Sequence, residues 1–212
     1  MILLDGKALS EKIKEEVKVE VAQLVEEKQI TPGLAVILVG NDAASATYVA
    51  SKAKSCKNAG IYSVVHEMPE SITQEELLET IARMNENPKL DGILVQLPLP
   101  KHIDTTVVLE AIDPLKDVDG FHPYNVGRMV SNLDAFLPAT PFGVMRMFQE
   151  YGIELSGKNV VVIGSSDIVG KPMASLLINA KATVTVCNSR TKDLASHTKA
   201  ADIVVIAVGV PY

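Results

Sequence analysis

The chain has 212 residues, of which 47% are hydrophobic and 22% are charged, a composition that suits a folded globular protein and argues against wholesale disorder. Its formal net charge of −6 gives no reason to expect a broad attraction to nucleic acid or to an anionic membrane. Because we find no apolar stretch of membrane-helix length, no secretory pattern at the N-terminus and no C-x-x-C pair in Cys56 and Cys187, we expect a cytosolic (cytoplasmic) protein without disulfides or a thiolate metal site.

The first part of the chain alternates between helical hydrophobic spacing and short continuous apolar runs, which are typical of buried strands. A Thr73-x-x-Glu76 capping box marks the start of one helix. The predicted elements, in chain order, are a helix over 9–25, a strand over 34–39, a helix over 45–58, a strand over 61–68, a helix over 73–85, a strand over 92–97 and a helix over 105–112.

The second part repeats the alternation after a predicted loop over 113–127. Its expected elements are a helix from Thr140-Pro141 to about 152, a strand over 159–163, a helix over 168–179, a strand over 182–187, a helix over 192–200 and a strand over 202–208. Such alternation predicts an α/β protein with parallel sheets covered by helices. At roughly 150 residues per domain, the length allows two small domains, and we place their boundary near Pro138, which gives 1–138 and 139–212. Three strands are half of a doubly wound sheet, and Val210-Pro211-Tyr212 adds no covering helix, so we expect the second domain to be incomplete at its C-terminus.

The strand over 159–163 leads into a turn of small residues and then a helix. The turn begins Gly164-Ser165-Ser166, and Gly170 follows in the helix. A helix N-terminus at such a turn suits a pyrophosphate. Ser166 stands where the second glycine of G-x-G-x-x-G would be, and the spacing of the two glycines does not fit a G-x-x-x-x-G-K phosphate loop. The pattern predicts a variant dinucleotide-binding turn, and a glycine turn used only for packing is the alternative.

The end of the next strand bears on the choice of cofactor. An NAD-selective site carries Asp or Glu about 20 residues beyond the turn, whereas the segment after Cys187 contains Ser189, Arg190 and Lys192 and no carboxylate. A guanidinium and a hydroxyl can bind a 2′-phosphate. The segment therefore favours NADP, with a solvated basic loop as the alternative.

Polar residues in the first part suggest a second binding site. Tyr48 and Lys52 share one side of the predicted helix, nearly opposite the apolar side that carries Ala46, Val49, Ala50 and Ala53, so a solvated surface pair is the alternative interpretation. Gln96 lies near the carboxyl end of a buried strand, where ligands bind in open α/β sheets, and Lys52 is a candidate partner for its amide.

The sequence Asp117-Val118-Asp119-Gly120 offers carboxylates that could accept two hydrogen bonds from a ligand, or simply form an acidic turn. The spacing does not match an EF-hand, so Ca²⁺ is not expected. The four histidines form no cluster with metal-ligand spacing, and we therefore expect no metal site.

Together these motifs resemble one family, the bifunctional methylenetetrahydrofolate dehydrogenase/methenyltetrahydrofolate cyclohydrolases. The matching stretches keep the family's order and spacing over nearly the whole chain: YVASK at 48–52, VQLPLP at 95–100, KDVDGF at 116–121, PATPFG at 138–143 and GSSDIVGKP at 164–172. The resemblance implies two α/β domains with a cleft between them, a folate-binding catalytic domain and a Rossmann-like NADP-binding domain. It implies NADP-dependent oxidation of 5,10-methylenetetrahydrofolate and hydrolysis of the methenyl product to 10-formyltetrahydrofolate, and it suggests a homodimer.

By that resemblance Lys52 is the catalytic lysine, Gln96 its hydrogen-bonding modulator, Tyr48 the ring that stacks on the aminobenzoyl group, and Asp119 the pterin anchor. A carboxylate matches the adjacent N–H donors of a pterin, and a neutral lysine can act as a general base. The resemblance implies that these four residues form the catalytic site. It also implies that they bind the substrate together with Leu97 and Pro98. Those implied in NADP binding are Thr140, Gly164, Ser165, Ser166, Ile168, Val169, Ser189, Arg190, Ala207, Val208 and Gly209.

Three departures from the family pattern stand out. Many relatives have arginine in place of Ser165, so recognition of the 2′-phosphate would depend on Ser189 and Arg190; Ala139 replaces a frequent cysteine. The family's loop near the nicotinamide and its final helix have no counterpart in these residues. The alternatives are another two-domain NADP dehydrogenase, similar to shikimate dehydrogenase, and a non-catalytic folate- or nucleotide-binding module.

Overall fold

A computed structural model describes residues 2–209, so the expectation about Val210-Pro211-Tyr212 lies outside the described residues. Contacts divide the chain into two compact units, Asp5–Val118 and the residues from Asp119 onward together with the first four. Among the described residues each unit has a three-stranded sheet in which all strand pairs are parallel. The predicted α/β class with parallel sheets is therefore confirmed.

The first unit is built on a sheet of strand order β2-β1-β3. Its elements are α1 (Gly6–Lys28), β1 (Gly33–Val39), α2 (Ala43–Ala59), β2 (Tyr62–Met68), α3 (Gln74–Asn85), β3 (Gly92–Val95) and α4 (Thr105–Glu110). The central strand β1 supplies both halves of the core because side chains alternate across a strand. Ile37 packs in one cluster with Leu77 and Ile81 of α3, and Val36 packs in another with Val49 of α2.

Side-chain caps fix the beginnings of α2 and α3, which follow β1 and β2 in the chain. Asp42 accepts a hydrogen bond of 2.8 Å from the backbone N–H of Ser45 at the start of α2, and this bond lowers the pKa of the Asp42 carboxyl. The predicted capping box of α3 is present, with Thr73 Oγ1 accepting from Glu76 N at 3.2 Å and Glu76 Oε2 accepting from Thr73 N at 2.9 Å. The second of these bonds lowers the pKa of Glu76. Each cap satisfies amides that have no partner within the helix.

The second unit has the strand order β5-β4-β6. Its elements are α5 (Pro123–Val130), α6 (Ala139–Glu150), β4 (Asn159–Ile163), α7 (Gly170–Asn179), β5 (Thr183–Cys187), α8 (Leu194–Lys199) and β6 (Ile203–Ile206). Val160 and Val162 of the central strand pack against Met173 and Leu177 of α7, and Phe148 of α6 completes this cluster. The unit therefore has its own hydrophobic core.

Two differences from the sequence prediction concern α5 and the end of β3. Helix α5 occupies part of the predicted loop, where Pro123 takes an early helical position and His122 Nδ1 accepts a 3.0 Å hydrogen bond from Tyr124 N. Proline at the first turn is a known helix signal, and it was available in the sequence. Strand β3 ends at Val95, two residues earlier than predicted, although Gln96 N still donates to the carbonyl oxygen of Ile37 in β1 at 2.9 Å.

Candidate active site

A lysine and a glutamine meet at the carboxyl end of β3. Lys52 Nζ donates a 3.1 Å hydrogen bond to Gln96 Oε1, and both side chains are partly buried. Gln96 Nε2 donates to the carbonyl oxygen of Leu97 at 2.8 Å, while the Gln96 backbone N–H donates to the carbonyl oxygen of Ile37 at 2.9 Å. The amide is thus held with its oxygen directed at the amine, as the sequence led us to expect.

The position of Lys52 on α2 differs from the prediction. The buried side of the helix carries Ser45, Val49, Cys56 and Ala59, whereas Ala46 and Ala50, expected on the apolar side, are exposed. Lys52 follows Val49 by three residues and precedes Cys56 by four, so helical spacing places it on this buried side. This partial burial brings its amine to Gln96. Burial also raises the pKa of the Cys56 thiol.

The other expected substrate residues of the first unit adjoin this pair. Tyr48 stands on α2 one turn before Lys52 and is 65% exposed, so its ring is open to contact with another molecule. Leu97 is half-buried and Pro98 exposed, directly after Gln96. These residues thus lie on the same helix side as Lys52 or next to Gln96 in the chain.

Asp119 is the first residue that contacts assign to the second unit, and it is half-buried. The following Gly120 has φ +68°, and a Cβ there would lie 2.5 Å from the carbonyl oxygen of Phe136. Only glycine suits this conformation and this close approach. The backbone next to Asp119 is therefore tightly defined.

The turn after β4 brings backbone segments into close contact. Gly164 has φ +117°, and a Cβ there would lie 2.5 Å from the carbonyl oxygen of Ala207; a Cβ on Gly170 would lie 2.2 Å from the carbonyl oxygen of Gly164. Gly164 N donates to Cys187 O at 2.8 Å, and Ala207 N donates to Ile163 O at 2.7 Å. The ends of all three strands of this sheet therefore meet around the turn.

The residues between the two glycines lead into α7. Ser166 Oγ accepts from the backbone N–H groups of Val169 at 3.3 Å and Gly170 at 3.4 Å, which gives both groups a partner at the start of α7. Ser165 is half-buried, and Ile168 is exposed. Helix α7 begins at Gly170 rather than at about residue 168 as predicted, because the turn held by Ser166 precedes it.

The basic segment after β5 is shaped by two residues that the sequence analysis did not single out. Asn188 N donates to Thr191 Oγ1 at 2.8 Å, and Arg190 N donates to Asn188 Oδ1 at 2.9 Å. Asparagine and threonine commonly form such local turns, so this signal was present in the sequence. The turn leaves Ser189 and Arg190 exposed.

The remaining expected cofactor residues lie at three places in the second unit. Thr140 is exposed in the first turn of α6. Val169 is half-buried directly before α7, and Ala207, Val208 and Gly209 follow the end of β6. Of these, the structure brings Ala207 against Gly164.

Among residues 2–209, no group of three or more His, Cys, Asp or Glu side chains is placed to hold a metal ion. No helix in the same residues has the length and apolar character needed to cross a membrane.

Comparison with known proteins identifies two matching domains. Residues 4–119 match the catalytic domain of the tetrahydrofolate dehydrogenase/cyclohydrolase family. Residues 138–212 match the NAD(P)-binding domain of the same family. The two matches occur in that order in the chain.

Individual relatives agree with this assignment. The Bifunctional protein FolD of Aliarcobacter butzleri is 91% identical over 212 residues, covering 100% of this chain and 74% of the relative. A crystal structure of the bifunctional FolD enzyme from Campylobacter jejuni has a TM-score of 0.96 at 54% identity, covering 99% of this chain and 74% of that one. The Trypanosoma brucei enzyme, complexed with NADP cofactor and inhibitor, has a TM-score of 0.95 at 40% identity, covering 99% and 72%. The chain belongs to the tetrahydrofolate dehydrogenase/cyclohydrolase family.

Proposed function

We propose that this chain catalyses the NADP-dependent oxidation of 5,10-methylenetetrahydrofolate to 5,10-methenyltetrahydrofolate and the hydrolysis of that product to 10-formyltetrahydrofolate, two steps of one-carbon metabolism. The observation that carries the proposal is the hydrogen bond from Lys52 to Gln96 at the end of β3. A shikimate dehydrogenase-like enzyme or a simple nucleotide-binding module would not need an amine so placed. Membership of the bifunctional family supports both activities.

Lys52 is proposed as the acid–base residue of the hydrolysis. Loss of a hydride from the methylene carbon leaves a folate cation in which the positive charge is shared with the adjacent nitrogens. That charge favours the neutral form of a nearby amine. Neutral Lys52 can then take a proton from the attacking water and return it to the leaving nitrogen as the ring opens. Lysine suits this exchange because arginine stays protonated.

Gln96 is proposed to hold the amine in position for that exchange. Its own Nε2 is engaged by the Leu97 carbonyl, so Oε1 remains the atom that faces Lys52. An uncharged acceptor orients the amine without the strong preference for the ammonium form that a carboxylate would impose. We therefore assign Gln96 a modulating role.

The substrate is proposed to bind along these residues. The exposed ring of Tyr48 can stack on the aminobenzoyl group, and Leu97 and Pro98 can supply apolar contacts next to Gln96. The Asp119 carboxylate can accept hydrogen bonds from the pterin ring N–H and exocyclic amine. All four residues fall in stretches that resemble the family.

The residues present fit a dinucleotide at the turn after β4. A Cβ on Gly164 or Gly170 would fill the space where backbone segments meet, and Arg190 is exposed beside the end of β5. We propose that NADP is held by Gly164, Ser165, Ser166, Ile168, Val169, Ala207, Val208, Gly209 and Thr140, with its 2′-phosphate at Ser189 and Arg190. When bound, NADP supplies the hydride acceptor for the oxidation. The Trypanosoma brucei relative, solved as a complex with NADP, supports this choice of cofactor.

Domain limits, assembly and location are further parts of the proposal. We assign 1–138 to folate binding and catalysis and 139–212 to NADP binding, in line with the matches to residues 4–119 and 138–212. The family resemblance favours a homodimer. The net charge of −6 favours a protein that binds neither nucleic acid nor membrane, and the free thiols of Cys56 and Cys187 suit the reducing cytosol.

The proposal is tested by following the two products separately. Protein, NADP and 5,10-methylenetetrahydrofolate are mixed, and NADPH and methenyltetrahydrofolate are monitored by their distinct absorbances. We expect both signals, with the methenyl signal decaying as hydrolysis proceeds. A second assay begins from methenyltetrahydrofolate without NADP and isolates the hydrolysis. Formation of neither product would contradict the enzymatic function.

A further inference from the structure

We propose that Lys116 and Asn85 form a clamp that positions Asp119 for folate binding; this inference rests on the proposed function. Lys116 stands in the KDVDGF stretch at 116–121, where a lysine side chain could be expected to contact a ligand directly. Instead, Lys116 Nζ donates to the carbonyl oxygen of Asn85 at 2.7 Å and to that of Asn87 at 3.0 Å. Its positive charge is therefore directed towards the end of α3.

Helix α3 ends at Asn85, so the carbonyl groups there have no partner in a following helical turn. They also form the negative end of the helix dipole, which favours a cation. Because Lys116 comes from a distant part of the chain, its ammonium joins the helix end to the segment that precedes Asp119. This contact is half-buried.

The Asn85 side chain makes a second connection to the same segment. Its Nδ2 donates to the carbonyl oxygen of Ala111 at 2.8 Å, and its Oδ1 accepts from the backbone N–H of Asp113 at 2.9 Å. Lys116 N in turn donates to the carbonyl oxygen of Asp113 at 2.7 Å. Both polar atoms of the Asn85 amide therefore bind the segment before its turn, and the Lys116 side chain binds it after the turn.

The C-terminal part of this segment, residues 116–118, is fixed against β3. Ile93 N donates to the carbonyl oxygen of Lys116 at 2.7 Å, and Ile93 forms a parallel bridge with Asp117. Gly92 leaves room for Val118, since a Cβ on Gly92 would lie 2.5 Å from Val118 Cγ1. The chain therefore runs beside β3 from Lys116 to Val118.

Asp119 is the next residue of the chain, so the clamp fixes the backbone immediately before Asp119. A carboxylate that accepts two hydrogen bonds from a planar ring must be held in a narrow range of positions. Lys116 and Asn85 are thus positioning residues that act through the backbone, and neither need touch the substrate.

The test compares Lys116→Met, which keeps a long chain but no donor, with Lys116→Arg, which keeps donors. In Lys116→Met we expect KM for the folate substrate to rise roughly tenfold in both reactions, with kcat and the KM for NADP unchanged. Lys116→Arg should restore most of the loss. Lys89→Met is the matched control, because Lys89 is an exposed lysine in the loop after α3.

Asn85→Ala provides a second variant if Lys116→Met does not fold, and it should raise the same KM. Calorimetric titration with tetrahydrofolate gives a readout that does not depend on turnover, and Lys116→Met should bind it more weakly. An unchanged folate KM in a folded variant, or an equal rise in the KM for NADP, would overturn the clamp. If the wild-type protein binds tetrahydrofolate without turnover, the proposed function fails, and weaker binding by Lys116→Met still supports the clamp. No binding by the wild-type protein overturns both.

Discussion

Lys52 is the residue on which the proposed hydrolysis depends most directly. Replacing it with methionine keeps much of the apolar stem but removes the proton carrier and the hydrogen bond to Gln96. We expect Lys52→Met to lose cyclohydrolase activity by roughly 10²–10⁴-fold, the range typical of a general acid–base group. Folate binding should remain largely intact, because most of the proposed binding contacts come from other residues. Steady-state hydrolysis of methenyltetrahydrofolate and calorimetric folate binding measure the two effects.

Lys57→Met is the matched control for this variant, since Lys57 lies exposed on the same helix. It should hydrolyse methenyltetrahydrofolate at the wild-type rate. If Lys52→Met also retained the wild-type rate, Lys52 would have no acid–base role. If it lost folate binding to the same extent as activity, its role would be in binding.

Part of this site could be predicted from the sequence. Helical spacing places Tyr48 and Lys52 on one side of α2. The position of Gln96 near the end of a buried apolar run indicated the edge of the sheet at which ligands bind. The partial burial of Lys52 was not predictable, because it depends on which side of α2 packs on β1. Alanine at 46 and 50 suits both an exposed and a buried position, so the pattern did not decide that side.

At the scale of elements, the turn between β4 and α7 depends on Gly164. Gly164→Ala would combine a φ of +117° with a Cβ 2.5 Å from the Ala207 carbonyl oxygen. We expect a loss of roughly 1–3 kcal/mol in the free energy of unfolding of the second unit. The affinity for NADP should fall as well, because the proposed phosphate-binding backbone must shift. Denaturant unfolding and cofactor titration measure these changes.

Gly127→Ala separates the loss of a glycine from the strain at this turn. Gly127 lies inside α5, and a Cβ there has no heavy atom within 4 Å apart from its local helix neighbours. The substitution should stabilise the protein by roughly 0.5–1 kcal/mol, because alanine favours the helix. Equal effects of the two substitutions would show that backbone conformation at Gly164 is not critical.

Elements with strong local signals were predicted well, and those with competing signals were not. The central strands β1 and β4 are uninterrupted apolar runs, and the α3 capping box has two reciprocal side chains. Helix α5 was missed because Asp, Pro and Gly around it suggested a loop, although Pro123 is favourable at a helix start. The helix forms because Met129 is buried in the core of the second unit, a tertiary contact that local composition does not contain.

At the scale of the whole molecule, alternating strands and helices were sufficient to predict two α/β units. The sequence suggested a boundary near Pro138 from the position of the next helix start. Contacts group the residues from Asp119 onward with the second unit, because α5 packs with α7. The boundary near Pro138 remains a prediction, since contacts do not decide where folate binding ends and NADP binding begins.

Two units with separate cores should respond separately to a cofactor that binds one of them. We expect saturating NADP to slow amide hydrogen exchange in β4, α7 and β5 while leaving β1 and β2 nearly unchanged. At a ligand concentration of 100 times Kd, the stabilisation is about 2.7 kcal/mol.

NAD is the matched control ligand, since it lacks the 2′-phosphate proposed to bind Ser189 and Arg190 and should protect less at equal concentration. Hydrogen exchange followed by mass spectrometry distinguishes the segments. Equal protection of both sheets by NADP would show that the two units open together. Equal protection by NAD and NADP would show that the turn after β5, with Ser189 and Arg190, does not select the cofactor.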